Sequence, residues 1–535
     1  VDGSESKFRI YFRYAPWSVE SGTVSIHERF TLTSSIFKPV IRRACLLLLL
    51  MSLSMMGCSK SSPPPRQLTI MQSSVALGDP HICSDSMNRL NLIFSVYDAL
   101  VQRDSEGHYQ PSLAESWEVD EDTRTWTFTL RKDVQFHNGD ILKSGDVIAT
   151  MGRVLDPSIG GSFGTQGVYL SYLEHAEILA IDDLTVQIIT EFPMADLLDL
   201  LVAMPISPES ELHRLPEQYV GTGPYRIKEQ TGSRTILEAH DTYWGKAPEY
   251  RELRWIAESS SEKRTDALLS GEADVVTRIS VQDKGRIEKD GGAQVFQLES
   301  GLCIIFMCNA QEGVNTDRRV RQALNYALDV EEIIDEIKDG AATPLNGFLT
   351  PHHFGYNPAT PAYPFDPVKA RALLAEAGYA DGMHLVLDIP STMPNEAPAL
   401  AQMMAEQYGR VGITVEVVVH EDRAAYSEMV RDKRINDACC FDSSPRSTYR
   451  VLREKLMSTL EGPWWEGYEN PQVNELITKA ERTFVESERE KIYRQIYRLV
   501  RDDAPWIFLY RPTDFWGISH SLNGWQPRSD GLLRF

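Results

Sequence analysis

The segment from Asn436 to Tyr468, NDACCFDSSPRSTYRVLREKLMSTLEGPWWEGY, holds the residues of this chain best suited to bind a polar small molecule. An apolar run predicts a buried strand end, Asp442 follows it, and Ser-Ser-Pro then turns the backbone. Two arginines at helical spacing come next, beginning with Arg446, and Trp464 with Trp465 lie in a Gly-Pro setting. A carboxylate, guanidiniums and large aromatic rings suit a pocket for a zwitterionic or polar ligand. An alternative stays open at this point: a strand, a turn and a helix that Asp442 merely caps.

Length and composition narrow the class of protein. A chain of 535 residues is too long for one compact domain, so two or three lobes are expected. Hydrophobic residues make up 42% and charged residues 24%, which is typical of a soluble globular protein. The formal net charge of −22 argues against nucleic acid or an anionic membrane surface as the partner.

Residues 40–57 have the pattern of an export signal. Arg42 and Arg43 precede an apolar run that ends just before Cys58, and the run is too short to span a bilayer as a helix. Its junction with the polar SKSSPPPR segment resembles a bacterial lipoprotein lipobox, which implies that Cys58 is lipid-modified and becomes the N-terminus. Residues 58–67 would then form a flexible tether to the membrane.

The first 39 residues fit neither a signal peptide nor a folded core. A signal of ordinary length begins at Val40, so we interpret residues 1–39 as a wrongly extended start. Mapping the mature N-terminus tests this interpretation.

The sequence lacks the motifs of common enzymes and metal sites. HExxH and Walker A are absent, and no nucleophile elbow or cluster of histidine ligands appears. The cysteines after the lipobox have no CxxC or Cys/His spacing, which argues against zinc. They are Cys83, Cys303, Cys308, Cys439 and Cys440. We therefore expect a protein that is not an enzyme and that needs no metal and no cofactor.

Local patterns predict several elements. Residues 68–71 predict a first strand and residues 87–100 a helix. The alternation in TWTFTL at residues 125–130 is that of a half-buried antiparallel strand, and GTGP before YRI predicts a tight loop leading into a strand. DPVKARALLAEAGY predicts a helix that Asp366 caps and Gly378 ends.

Larger sequence blocks carry a family resemblance. LAESWEV with TWTFTLRKDVQFHNGD resembles the signature region of the bacterial extracellular solute-binding proteins of the peptide/nickel/opine class. Six further blocks follow in the expected order: GTGPYRI, DTYWGKAP, ALLSGEADVV, DRRVRQALNYALDVEEII, FDPVKARALLAEAGY and DDAPWIFLYRP. The resemblance covers residues 66–535. Proteins of this class are the substrate-binding subunits of ABC importers.

The resemblance implies an α/β fold of two lobes joined by two hinge crossings, the periplasmic-binding-protein architecture. Lobe I would comprise residues 68–300 with an extra subdomain at about 104–214. Lobe II would comprise residues 301–507, and residues 508–535 would return to lobe I.

The resemblance also implies a ligand site. In peptide-binding relatives, a carboxylate just after a lobe II strand pairs with the α-amino group of the ligand, and Asp442 has that place here. Ser443 and its neighbours replace the further acidic residue that relatives carry, which leaves the solute open. Arg446 would either neutralise Asp442 or hold a ligand carboxylate or phosphate. The aromatic candidates for the pocket wall are Tyr97, Trp464 and Trp465.

A disulfide is a further implication. Some oligopeptide-binding relatives link the strand that enters lobe II to the strand before the ligand carboxylate. Cys303 and Cys440 hold these two places, so we expect a Cys303–Cys440 bridge. Cys439 is the other candidate, and two buried free thiols are the alternative.

The expected function is capture of a peptide or peptide-like solute between two closing lobes and its delivery to an ABC permease with its ATPase subunits. We expect a monomer held at the bacterial membrane, on the periplasmic side, by its lipid anchor. Two alternatives remain: a binding protein for a non-peptide solute such as an opine, an oligosaccharide or a chelated metal, or a subunit that presents its ligand to a sensor.

Overall fold

A computed structural model describes most of the chain after residue 65. It covers residues 66–82, 86–104, 107–121, 123–159, 165–392, 394–443, 447–522, 524–528 and 530–535, with side chains left out at 165–168. The predicted export signal, Cys58, Cys83 and Arg446 lie outside the described residues.

The described ranges contain eighteen strands and fourteen α-helices. The strands are β1 (Gln67–Gln72), β2 (Val101–Arg103), β3 (Tyr109–Pro111), β4 (Ala114–Val119), β5 (Thr125–Leu130), β6 (Glu177–Asp182), β7 (Thr185–Ile189), β8 (Tyr225–Gln230), β9 (Arg234–Ala239), β10 (Glu252–Ala257), β11 (Val275–Ile279), β12 (Ala293–Glu299), β13 (Cys303–Cys308), β14 (Ala342–Pro344), β15 (Met383–Pro390), β16 (Ile413–His420), β17 (Ala438–Ser443) and β18 (Trp506–Ser519). The helices are α1 (Met87–Val96), α2 (Ser144–Val154), α3 (Thr165–Leu173), α4 (Leu197–Leu201), α5 (Ser261–Ser270), α6 (Val281–Asp290), α7 (Arg318–Tyr326), α8 (Val330–Lys338), α9 (Pro367–Glu376), α10 (Ala397–Gly409), α11 (Arg423–Arg431), α12 (Thr448–Lys455), α13 (Pro471–Glu481) and α14 (Glu486–Asp503). Among these helices, none is both long and apolar enough to cross a membrane.

The long strand β18 joins the two halves of the largest sheet. The strand order is β16-β15-β17-β13-β18-β11-β1-β10-β9-β8, and β12 and β14 also pair with β18. Residues of β18 up to Pro512 pair with β13 and β14, and residues from Thr513 onward pair with β12 and β11. We therefore use lobe I for residues 66–300 and 513–535, and lobe II for residues 301–512.

A smaller antiparallel sheet, β4-β5-β7-β6, lies within lobe I and packs with α2, α3 and α4. The alternation predicted for residues 125–130 is confirmed: Trp126, Phe128 and Leu130 are buried and Thr127 and Thr129 are half-buried. We refer to residues 114–201 as the subdomain.

Lobe II contains a sheet that is covered on both faces. All six residues of β13, CIIFMC, are buried. Ile304, Phe306 and Cys308 belong to the apolar core on one face, whereas Cys303 and Met307 belong to the core on the other. A continuous apolar run is the pattern expected for a strand buried on both sides.

Local chemistry sets where the elements begin and end. The Asp366 side chain accepts a hydrogen bond from Lys369 N, which confirms the predicted cap of α9. Helix α1 stops at Val96, four residues before its predicted end. The GTGP loop explains this difference: Gly223 N donates to Val96 O at 2.9 Å, and a Cβ at Gly221 would lie 2.2 Å from the same oxygen. Only glycine permits so close an approach.

Candidate functional site

Asp442 lies near the end of β17, beside the place where the chain passes between the lobes. β17 runs parallel to β15 and antiparallel to β13, and Asp442 is its only residue that is not fully buried. In the ladder with β13, Asp442 stands opposite Ile304, and Ser443 stands opposite Cys303. The carboxylate of Asp442, which is predicted to bind the ligand, thus lies on a strand near the first crossing between the lobes.

Ser443 follows Asp442 in the chain, and its buried side chain lies on the other face of β17. Ser443 is 2% exposed, and its Oγ has no hydrogen-bond partner within the described part of the chain. Burying a hydroxyl without a hydrogen-bond partner costs free energy. A ligand that formed a hydrogen bond with the Ser443 hydroxyl would remove that cost. Arg446, the predicted partner of Asp442 or of a ligand anion, lies outside the described residues.

The helix that follows is capped by Ser447 and not by Asp442. Ser447 Oγ accepts a hydrogen bond from Arg450 N at 3.2 Å, so the alternative that treats Asp442 as an N-cap is wrong. Helix α12 is almost entirely buried although four of its eight residues are charged. Arg450 Nε lies 2.8 Å from Glu454 Oε1, and Arg453 Nη1 lies 2.6 Å from Glu481 Oε1.

Two carboxylates from the subdomain face this helix across the cleft. Asp196 precedes α4 and Asp199 lies in its first turn. Ser447 Oγ donates to Asp199 Oδ2, and the other Asp199 oxygen binds Arg103 and the Tyr109 hydroxyl of lobe I. Asp199 therefore joins two lobe I groups to the N-terminus of a lobe II helix.

Asp196 makes the second contact between the lobes. Its Oδ2 accepts a hydrogen bond from the Tyr493 hydroxyl at 2.7 Å, and its Oδ1 lies 3.4 Å from Arg489 Nε. Burial raises the pKa of Asp196 to about 6, while the Arg489 guanidinium opposes the rise. Beside it, Ala195 N donates to Glu481 O across the same interface at 2.9 Å.

Arg453 completes the interface from the lobe II side. Its guanidinium lies 5.2 Å from the ring centre of Tyr172 and 4.7 Å from that of Phe192, both in the subdomain. The lobe II ring of Tyr449 lies 5.4 Å away and packs against Tyr172, with 5.3 Å between ring centres. An arginine enclosed by aromatic rings gains cation–π energy that is largest when water is excluded.

Lys455 and Glu466 are buried behind the Asp442 strand, and Lys433 is half-buried. Lys455 is 2% exposed, and burial lowers its pKa while the charge of Asp442 opposes the fall. Burial raises the pKa of Glu466 to about 8, against the pull of Lys433 and Lys455. Neither carboxylate oxygen of Glu466 has a hydrogen-bond partner among the described residues. Burial thus disfavours the charged form of Glu466 and of both lysines.

The three aromatic candidates have different positions. Trp464 packs against Phe441, the neighbour of Asp442, with 5.0 Å between ring centres. Trp465 donates its indole N–H to Tyr468 O at 2.7 Å, which fixes the segment after α12. Tyr97 is fully buried in the lobe I core, and a Cβ added at Gly221 would lie 2.7 Å from its Cδ1. The prediction that Tyr97 lines the pocket is therefore wrong, because the GTGP loop packs over its ring.

The predicted Cys303–Cys440 bridge is wrong. Cys303, Cys308, Cys439 and Cys440 are all buried free thiols. Cys303 stands opposite Ser443 and Cys440 stands opposite Phe306, so the two side chains enter the cores on opposite faces of the sheet. Cys439 shares the face of Cys303 but stands opposite Met307, too far along the ladder for a bridge. The alternative of buried free thiols is the correct one.

The described residues contain no group of three or more His, Cys, Asp or Glu side chains placed to hold a metal ion. The polar groups that meet between the lobes are instead paired carboxylates, guanidiniums and hydroxyls. Such groups bind and orient a polar solute.

Two α/β lobes with an extra subdomain, two crossings and a carboxylate at a strand end between them define a two-lobed solute-binding protein. The chain belongs to the bacterial extracellular solute-binding proteins, family 5, whose middle-region model matches residues 108–437. The family resemblance and the fold class expected from the sequence are both confirmed.

Curated relatives span nearly the whole chain. Heme-binding protein A of Haemophilus influenzae is 27% identical over 462 residues, which cover 80% of this chain and 84% of that protein. The dipeptide-binding protein of Escherichia coli is 27% identical over 447 residues, covering 78% and 83%. The glutathione-binding protein GsiB of Pectobacterium atrosepticum is 28% identical over 473 residues, covering 85% and 90%.

Solved structures support the same fold. The structure of HbpA2 from Haemophilus parasuis matches with a TM-score of 0.76 at 22% identity, covering 87% of this chain and 98% of that chain. NikA from Brucella suis, in complex with Fe(III)-EDTA, matches with a TM-score of 0.75 at 22% identity, covering 88% and 98%. At these identities the likeness shows the fold alone.

The sequence analysis missed the lobe I half of the interface. In PMADLLDLL, Asp196 and Asp199 look like the ordinary acidic residues of a helix N-terminus, which are common and uninformative. Arg453 and Glu454 likewise look like a solvated charged face. The available signal was one aspartate within the apolar five-residue helix α4 and a second aspartate just before it.

Proposed function

We propose that this protein is the solute-receiving subunit of an ABC importer and that it captures a peptide or peptide-like solute between its lobes at Asp442. The observation that carries the proposal is the position of Asp442 at the strand end beside the crossing, where the lobes converge. The names of the dipeptide-binding and glutathione-binding relatives favour a solute of this class.

The chemistry of the site fits an amino-bearing solute. The carboxylate of Asp442 would accept charge-assisted hydrogen bonds from a ligand ammonium. The buried hydroxyl of Ser443 would satisfy a neighbouring polar group of the ligand, and Arg446 would hold a ligand carboxylate. Trp464, packed on Phe441, would form part of the apolar wall, with Trp465 beside it.

A non-peptide solute is the second candidate, and a specific observation favours it. Lys455, buried behind β17, lies close enough to Asp442 for the two side chains to interact, which suits a solute that carries an anionic group near its ammonium. Opines and carboxylate chelators have this chemistry. Mass spectrometry of the small molecule that co-purifies with the native protein decides between the two candidates.

The proposed address is the periplasmic side of a bacterial membrane, through a lipid on Cys58. The proposal depends on the lipobox-like sequence and on family membership. The protein would act as a monomer that docks on its permease after closing. Replacing Cys58 by Ser should release the protein from the membrane fraction, whereas continued membrane attachment would remove the lipid anchor from the proposal.

The test of the site is calorimetry with the co-purified solute. Asp442→Ala should weaken binding by about 2–5 kcal/mol, the usual loss when one partner of a buried charge pair is removed. Asp432→Ala serves as the control because Asp432 is a half-exposed carboxylate of the same lobe that forms an ion pair with Arg434. Unchanged affinity in the Asp442 variant would remove this residue from the ligand site.

A further inference from the structure

The contacts between the subdomain and lobe II form a set with a common property. Apart from Phe192, which is half-buried, each one joins a buried side chain or amide of lobe I to a buried group of lobe II. The lobe I members are Ala195, Asp196, Asp199, Tyr172 and Phe192, and the lobe II members are Ser447, Arg453, Glu481, Arg489 and Tyr493. We call this set the latch.

The latch lies on the cleft side of the molecule. Ser447 follows Asp442 by five residues, so one short segment links the proposed ligand carboxylate to the latch. No latch residue lies on β12, β13 or β18, the strands at the crossings. A rotation about the crossings that opens the cleft would separate the latch groups while leaving all strand pairing intact.

The two latch carboxylates are buried where the lobes meet. The side chains of Asp196 and Asp199 are 4% and 5% exposed in this structure. Each carboxylate accepts a hydrogen bond from a lobe II hydroxyl. The donor is Tyr493 for Asp196 and Ser447 for Asp199. Burying a carboxylate is costly unless such donors are present, so closure and hydrogen bonding must occur together.

We propose that the latch holds the cleft closed through these side-chain contacts, with α12 transmitting occupancy of the Asp442 site to the lobe interface. The consequence for transport depends on the proposed function, because the latch then sets how long a captured solute is retained. Closing itself does not require the solute. The experiment therefore uses protein without added solute.

The amide of Ala195 reports directly on the latch. Its N–H is bonded to Glu481 O of the other lobe, so it exchanges with solvent only when the latch opens. Hydrogen–deuterium exchange at single-residue resolution on the full chain should find this amide strongly protected. An unprotected Ala195 amide would overturn the proposal.

Two isosteric variants make the test specific. Tyr493→Phe removes the interlobe hydroxyl and should reduce protection of the Ala195 amide by at least about tenfold, since a hydrogen bond to a charged group is lost. Tyr408→Phe removes a buried hydroxyl that bonds Leu324 O within lobe II, and should leave this amide unchanged. Equal exchange in wild type and Tyr493→Phe would also overturn the proposal.

A second pair of variants controls for the loss of helix stability that follows from removing an N-cap. Ser447→Ala removes both an N-cap and the contact with Asp199, whereas Ser260→Ala removes only the cap of α5. The first should reduce protection of the Ala195 amide by more than the fivefold or so expected of a cap alone, and the second should not change it. If the solute experiments fail while these results hold, the latch stands and the proposed solute class falls.

Discussion

The lobes are connected at the crossings and at the latch, and these two places are built from different groups. At the crossings the links are backbone: Ser300 N donates to Pro512 O at 2.9 Å, and β18 runs through both lobes without a break. The side-chain pair there, Glu299 with Arg511 at 3.2 Å, leaves Glu299 42% exposed. At the latch, the linking groups are buried when they meet, apart from the half-buried Phe192.

The crossings and the latch therefore contribute differently to closure of the lobes. Backbone pairing at the crossings persists in any relative position of the lobes, so it fixes the axis of motion and contributes little to the choice between open and closed. The latch exists only in the closed arrangement, and its contacts replace water on both partners. The latch shifts the equilibrium between the open and closed arrangements toward the closed one. A solute at Asp442 would add further contacts that favour the closed arrangement.

Removal of Arg453 should have the largest effect at the latch. Arg453→Ala leaves Glu481 buried without its cation and empties the ring cluster formed by Tyr172 and Phe192. We expect a loss of about 3–5 kcal/mol in the free energy of unfolding, measured by urea titration.

The matched control for this variant is an exposed ion pair on the adjacent helix. Arg494 pairs with Glu490 one turn away on α14 at 2.7 Å, with both side chains more than a third exposed. Arg494→Ala should cost well under about 1 kcal/mol. Equal losses in the free energy of unfolding would mean that the buried contacts of Arg453 contribute no more to stability than an exposed ion pair.

Much of the fold was predictable because its signals are local. The alternation at residues 125–130, the Asp366 cap and the apolar run before Asp442 each depend on neighbours in the sequence. The family resemblance supplied the two lobes and the place of Asp442. These predictions required no knowledge of which distant elements meet.

The latch was not predictable because its partners are far apart in the chain. Asp199 and Ser447 are separated by 248 residues, and each has an ordinary local explanation as a helix-end residue. The disulfide prediction failed for a related reason. Whether Cys439 or Cys440 shares a face with Cys303 depends on strand register, and a shift of one residue exchanges the faces.

Closure should depend on pH through Asp196, with the second largest effect. Burial raises the pKa of Asp196 to about 6 in the closed protein, above the ordinary value of 3.8. The surrounding titratable and charged groups are Arg489 and Tyr493 of lobe II and Asp199, Arg103 and Tyr109 of lobe I. A raised carboxyl pKa stabilises the closed state fully below about pH 4, and this contribution is lost as the pH rises through 6.

The closed state should therefore gain about 2 kcal/mol relative to the open state as the pH falls from 6.5 to 4. Protection of the Ala195 amide, corrected for the intrinsic exchange rate, should be about tenfold greater at pH 5 than at pH 7.5. Asp196→Asn should abolish the difference because the amide side chain does not titrate. Wild-type protection that is independent of pH, or that falls in acid, would contradict this coupling.

The crossings should give the smallest effect, and this outcome tests the comparison itself. Glu299→Gln removes the charge that pairs with Arg511, but the pair is partly exposed, and exposed pairs contribute about 0–1 kcal/mol. The backbone bond between Ser300 and Pro512 is unaffected by the change. We therefore expect an unfolding free energy within about 1 kcal/mol of wild type and no change in exchange of the Ala195 amide. If Glu299→Gln released that amide as Tyr493→Phe is expected to do, closure would depend on side chains at the crossings, and the separation of a permanent hinge from a reversible latch would fail.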